Sequence, residues 1–264
     1  MSQLAAVFLD HVVVQVELPD RTADVLPGLA WGGVEEFPSP AYWLYQVLAR
    51  RILGTTIQHR LGTNLSEEVA ACLLGGHGIP AEVGVAAYRA VRDAGLLRGT
   101  PSEAELQKLL AQPLDIGGRS VRYRFASQKA RYLSGALKHL AEGDPPLGSG
   151  RQLRDWLLGL PGIGPKTASW IARNFLDADD VAILDIHILR AGALGGFFNR
   201  SFTVERHYLQ LEGQFLEFSL AMGVRASELD DVIWAEMKAS HLSVARLMKR
   251  LQDETEAPAV GELP

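Results

Sequence analysis

Apolar residues recur every three to four positions through most of the chain beyond residue 40, the spacing of amphipathic helices. That spacing predicts helices over 41–53, 81–94, 102–111, 125–141, 151–160, 165–175, 183–194, 203–221 and 228–250. Another begins at Asn64-Leu65-Ser66-Glu67-Glu68, with Asn64 or Ser66 capping and acids in the first turn, and stops at Gly75-Gly76. The β-branched, partly alternating run at 7–18 predicts a strand or short hairpin. Residues 19–40 are rich in Pro and Gly and read as irregular structure. Strand signals are scarce after residue 20. The fold class is therefore mostly α with a small N-terminal β element. The expected organisation is an extension over 1–63, a helical core over 64–252 with a hairpin at 151–176, and a disordered acidic tail over 253–264.

Composition narrows the class. Of 264 residues, 47% are hydrophobic and 22% charged, which fits a globular chain and excludes a collagen-like or disordered one. No stretch approaches the roughly 20 apolar residues that cross a bilayer, so no membrane partner is expected. The first residues carry acids inside the apolar run and no basic segment before it, so no signal peptide is expected. Cys72 is the single cysteine, which rules out an internal disulfide and any iron–sulfur or zinc site built from several thiolates. A reducing, cytoplasmic setting follows.

The net charge of −5 argues against a nucleic-acid partner. Its distribution argues the other way. Between Arg119 and Arg173 stand ten basic residues and three acids, a local charge of +7. Either one face suits a polyanion or these cations are ordinary solvated helix surface.

The chemistry concentrates in Leu160-Pro161-Gly162-Ile163-Gly164-Pro165-Lys166-Thr167-Ala168-Ser169-Trp170. One helix ends in a turn with two glycines and a second begins at once, with Pro165 at its first position. Gly162 and Gly164 are expected to adopt torsions that other residues resist and to admit close approach of a ligand. Free N–H groups at the helix start make an anion site, unless the turn is an ordinary corner between two helices. Lys166 stands in the first turn, where the helix dipole and partial burial would favour a neutral amine able to act as a nucleophile. Nineteen residues later Asp185 sits in the apolar run Ala182-Ile183-Leu184-Asp185-Ile186-His187-Ile188-Leu189-Arg190. It caps the helix that starts at Ile186, serves catalysis, or both, while His187 is either a functional group or a satisfied core histidine.

These two segments, LPGIGPKTASWIARNFL and VAILDIHILR, resemble the signature of the helix-hairpin-helix (HhH-GPD) DNA glycosylase superfamily. The hairpin lysine is similar to that of its bifunctional members, and Ala-Ile-Leu-Asp-x-His-Ile-Leu resembles the 8-oxoguanine DNA glycosylase/AP lyases. YRFASQKARYLSGAL resembles the helix that precedes the hairpin in those enzymes. The strong resemblance covers about 120–194, with weaker extensions over 64–95 and 228–240, and leaves the first sixty residues unmatched. It implies a two-lobed helical fold, with a catalytic role for Lys166 and Asp185 on double-stranded DNA containing a damaged base, in a monomer. The four-cysteine cluster of endonuclease III relatives is absent, and Lys166 argues against the purely hydrolytic alkylpurine glycosylases, which generally lack it.

The resemblance further implies base extrusion, attack of Lys166 on C1′, a Schiff base and β-elimination, with Asp185 stabilising the developing charge. Gly162, Ile163, Gly164, Thr167 and His187 become candidate DNA contacts. No cofactor or metal-ligand cluster is expected, although in that family a monovalent cation often bridges hairpin carbonyls to the phosphate. Trp170 either stacks on the extruded base or packs the hairpin as a core aromatic. Asp230, Trp234, Met237 and Lys238 become base-pocket candidates, with capping as the other reading of Asp230. His77 or Ile79 fills the duplex gap, or their loop merely joins two helices. Arg124, Lys129 and Arg131 contact phosphates or simply solvate the surface. The same chemistry on another damaged or deliberately modified base, as in phage DNA, and a non-catalytic DNA-binding hairpin are the alternatives. Lys166 together with Asp185 argues against the second, because phosphate binding needs neither.

Overall fold

The computed structural model describes residues 1–55, 59–76 and 78–256. In chain order these form the strands β1 (Gln3–Leu9), β2 (Val12–Leu18), β3 (Asp24–Leu26) and β4 (Leu29–Ala30), then helices α1 (Pro40–Leu53), α2 (Leu65–Leu74), α3 (Ala81–Asp93) and α4 (Glu103–Leu110). A short hairpin, β5 (Leu114–Ile116) and β6 (Arg119–Val121), precedes α5 (Ala126–Glu142), α6 (Gly150–Leu157), α7 (Pro165–Leu176), α8 (Ile186–Gly195), α9 (Val204–Ala221), α10 (Ala226–Ala239) and α11 (His241–Glu256). The mostly α expectation holds.

Local sequence explains where several helices start. Ser39, Asn64, Ser102 and Ser149 each accept a hydrogen bond from the first turn of the helix that follows, and Ser102 and Glu105 complete a reciprocal box. α1 carries Pro40 at its first position, Arg50 and Arg51 in its last turn, and a left-handed Gly54 after it. Three expectations fail. The stretch 228–250 is not one helix: α10 starts two residues earlier and breaks at Ser240 before α11. Residues 253–256, expected in a disordered tail, continue α11; the remaining tail, 257–264, lies outside the described residues. Short antiparallel pairs also occur within 19–40 and at 114–121, where strands of two or three residues are too brief to show a period.

The chain divides into two compact units, and the divisions do not fall at 63/64 and 252/253. One unit comprises 1–57 and 184–264. In it β1 and β2 form a hairpin, Trp43 of α1 is fully buried, and Phe197 stacks on Phe218 of α9 at 4.1 Å. Arg51 of α1 binds Glu228 of α10 through two nitrogens, and Tyr42 donates to Glu236.

The other unit, 58–183, packs α2 to α7 around Val69, Leu73, Leu106, Leu133, Leu153 and Ile171. Its most buried ionisable group is Glu68, at 0% exposure. The carboxylate accepts from the backbone N–H groups of Leu61 and Gly62 and from Asn174 Nδ2, so its burial is matched by hydrogen bonds. Those bonds fasten the entering segment to α2 and α7.

Candidate functional site

In the 58–183 unit the turn between α6 and α7 is pinned to the core by buried Leu160 and Ile163. Pro161 rests against Gly135 of α5, where a Cβ would come within 2.9 Å of its ring. Gly162 has φ +75, and a Cβ there would overlap the Tyr132 ring. Gly164 is different. It is extended (φ −100), and a Cβ would meet nothing within 4 Å, so it needs no special torsion. Its open side faces whatever approaches the turn.

This difference gives a prediction. Gly162→Ala is expected to destabilise the protein by about 1–3 kcal/mol through backbone strain and overpacking. Gly164→Ala is expected to unfold at the same denaturant midpoint as the wild type and to weaken duplex binding. Urea unfolding and fluorescence anisotropy with labelled duplex check the pair.

The backbone of the turn is rich in unused donors and acceptors. No acceptor among the described residues takes the N–H groups of Gly162, Gly164, Lys166 or Thr167. The carbonyls of Pro161, Gly162 and Ile163 accept nothing among the described residues either. Four N–H groups at the positive end of α7 suit an anion, and three neutral oxygens suit a hard monovalent cation. The Ile163 side chain is buried, so only its backbone is available to a ligand.

Lys166 is the second residue of α7. Its side chain is exposed, not partly buried as expected, and no ion pair or hydrogen bond among the described residues engages its ammonium. Trp170, one turn later, is half-buried against the core, and Gly75, at the end of α2, lies against its ring. That contact supports the packing role over base stacking.

The cations counted along the sequence do not form one patch. Arg154 and Arg173 are buried, with Arg154 bonded to Asp155 at 2.5 Å. Arg151 donates to the Asp180 carbonyl. Lys129, expected on a phosphate, directs its half-buried ammonium to the carbonyls of Leu73 (2.6 Å) and Gly75 (3.2 Å). It therefore stabilises the negative end of α2, and burial pushes its pKa below the ordinary lysine value. Arg124 and Arg131 are exposed and lie over the rings of Phe125 and Tyr132. His77 lies outside the described residues. Ile79 packs partly buried against the core, which disfavours it as a group projecting into DNA.

In the unit of 1–57 and 184–264, Asp185 caps α8: Oδ1 accepts from the N–H groups of His187 (2.7 Å) and Ile188 (3.0 Å). Oδ2 makes no hydrogen bond among the described residues and is left for other work. His187 is half-buried and meets the Trp234 ring edge-on, with centroids 6.3 Å apart. Trp234 of α10 is 45% exposed, and the Lys238 ammonium lies 4.4 Å from its ring centroid. Asp230 is buried within α10, whose start is instead capped at Arg225 and Glu228, so the capping reading of Asp230 fails. Met237 is a core residue (1% exposed) and offers no surface to a base. Tyr132 and Gly135, which seat the turn, lie in the segment YRFASQKARYLSGAL, but nothing in the sequence singled out either residue for that contact.

The sequence matches the model of a family described as 8-oxoguanine DNA glycosylase over residues 55–224. An 8-oxoguanine DNA glycosylase/AP lyase of Methanocaldococcus jannaschii is 28% identical over 173 residues, spanning 64% of this chain and 77% of that protein. The crystal structure of the Methanocaldococcus jannaschii 8-oxoguanine glycosylase/lyase with a 15mer DNA containing 8-oxoguanine is similar with a TM-score of 0.54. That likeness has 23% identity and covers 75% of this chain and 98% of the other. A trapped endonuclease III–DNA covalent intermediate is similar at 0.52, with 19% identity over 73% of this chain and 82% of the other. Both structural likenesses concern the fold. The family match leaves residues 1–54 and 225–264 outside it.

Proposed function

The chain belongs to the 8-oxoguanine DNA glycosylase family, and from that premise we propose that it excises oxidised guanine from duplex DNA and then cleaves the strand, acting as a monomer. The observation that carries this reading is Lys166: an exposed, unpaired ammonium in the first turn of the helix that leaves the glycine turn.

In the proposed reaction the duplex phosphate binds the free N–H groups of Gly162, Gly164 and Thr167. A monovalent cation fits the Pro161, Gly162 and Ile163 carbonyls and would supply charge between turn and phosphate. The damaged nucleotide leaves the stack, because its glycosidic bond is unreachable inside the duplex. Trp234 offers an exposed aromatic surface for the extruded base, bordered by Lys238 and His187.

After its ammonium gives up a proton to solvent, the Lys166 amine attacks C1′, forming the N–C1′ bond as the C1′–base bond breaks, and the nitrogen's second proton leaves with the base. Opening of the sugar gives the imine. Loss of a C2′ proton then drives β-elimination, breaking C3′–O3′ and releasing the 3′ phosphate oxygen. Asp185 stabilises positive charge developing on the sugar through its unused Oδ2 and assists the proton transfers.

The test is single-turnover base release from duplexes carrying 8-oxoguanine, other oxidised purines, deliberately modified bases or normal guanine. The proposal expects release and strand cleavage with 8-oxoguanine and neither with guanine. Preferential release of another base would reassign the substrate, and binding without release from any duplex would leave a non-catalytic hairpin protein.

A further inference from the structure

Once the buried and committed cations are set aside, part of the positive charge of the 58–183 unit falls in one acid-free stretch. No acid occurs between Asp115 and Glu142, and Asp115 itself accepts from the Gly118 N–H in the turn of the β5–β6 hairpin. Within this stretch Arg122 and Arg124 are both exposed, and neither makes an ion pair or hydrogen bond among the described residues. Between them Tyr123 is buried and donates its hydroxyl to the Leu74 carbonyl at 2.6 Å. One buried anchor thus ties the backbone between two exposed arginines to the C-terminal end of α2.

The anchorage is reinforced nearby. Lys129 binds the Leu73 and Gly75 carbonyls, and Gly78 lies against the Phe125 ring, which in turn carries the Arg124 guanidinium at 5.2 Å. Stacking restricts Arg124 and lowers the entropy cost when it binds, and a planar guanidinium matches a phosphate with two parallel hydrogen bonds. We propose that Arg122 and Arg124 form a phosphate clamp on duplex DNA, distinct from the glycine turn before α7 and fixed to the end of α2 by Tyr123. The inference rests on the glycosylase reading above and adds a second backbone contact to it.

The test is the salt dependence of binding to an undamaged duplex, measured by fluorescence anisotropy on the full chain. Removing one cation that neutralises a phosphate lowers the slope of log K against log salt by about 0.9. Arg122→Gln and Arg124→Gln are expected to lower it by about 0.9 each and the double variant by about 1.8. Lys138→Gln removes an exposed cation of α5 that lies 3.9 Å from Glu142 and is expected to leave the slope unchanged. An unchanged slope in the double variant overturns the clamp while leaving the glycosylase reading intact. A fall in Lys138→Gln as large as in either arginine variant also overturns it, because the effect would then be general surface charge. A wild-type chain that binds no duplex would remove the DNA reading itself and the clamp with it.

Discussion

Lys166→Gln is expected to abolish the borohydride-trapped covalent complex with lesion-containing duplex and to slow base release by about 10³-fold or more. The effect is this large because the amide of glutamine cannot form an imine. The same substitution should barely disturb the fold, since the side chain is exposed and engages no described residue. Duplex affinity should stay within a few-fold of wild type, because the backbone donors of the turn are untouched. Gel separation of trapped complexes checks the first outcome, and anisotropy the second. A variant that traps at the wild-type rate would show that the amine lies elsewhere.

Asp185→Asn should slow base release by about 10²–10⁴-fold with unchanged duplex affinity. The substitution isolates charge from capping. Asparagine keeps the side-chain oxygen that accepts from His187 and Ile188, and it caps helices about as well as aspartate. Asp185→Ala removes charge and cap together, and should add a stability loss of about 1 kcal/mol, visible in urea unfolding. If Asn and Ala lose stability equally and base release follows stability in both, Asp185 only caps α8.

How much of this the chain announces in advance depends on how local each signal is. The hairpin is legible because its parts are contiguous: Pro165 at a helix start, glycines before it, and a lysine and an aspartate at fixed positions in and beyond it. The helix starting at Asn64 and stopping at Gly75 is legible for the same reason. Ser240 is not, since apolar spacing continues across it and nothing nearby is a strong helix breaker. Charge is where sequence reading fails most. Glu68 reads as a routine first-turn acid, yet the backbone at Leu61 and Gly62 folds onto it and makes it the unit's most buried ionisable group. Lys129 reads as a phosphate contact, yet carbonyls distant in sequence claim its ammonium. Arg154 and Arg173 add to the sequence charge but are buried in the fold. Counting ions shows that a basic region exists; which of them remain free is a tertiary fact. Gly162 and Gly164 look equivalent as letters, and only the folded backbone torsion and the Tyr132 ring separate them.

In the proposed reaction one amine of this chain becomes bonded to the sugar. The most direct measurement is to trap the wild-type protein on 8-oxoguanine duplex with borohydride, digest it, and locate the deoxyribose adduct by mass spectrometry. The adduct is expected on Lys166, in the peptide that follows the glycine turn. An adduct on Lys129, the N-terminal amine or any other lysine, with Lys166 unmodified, would contradict it.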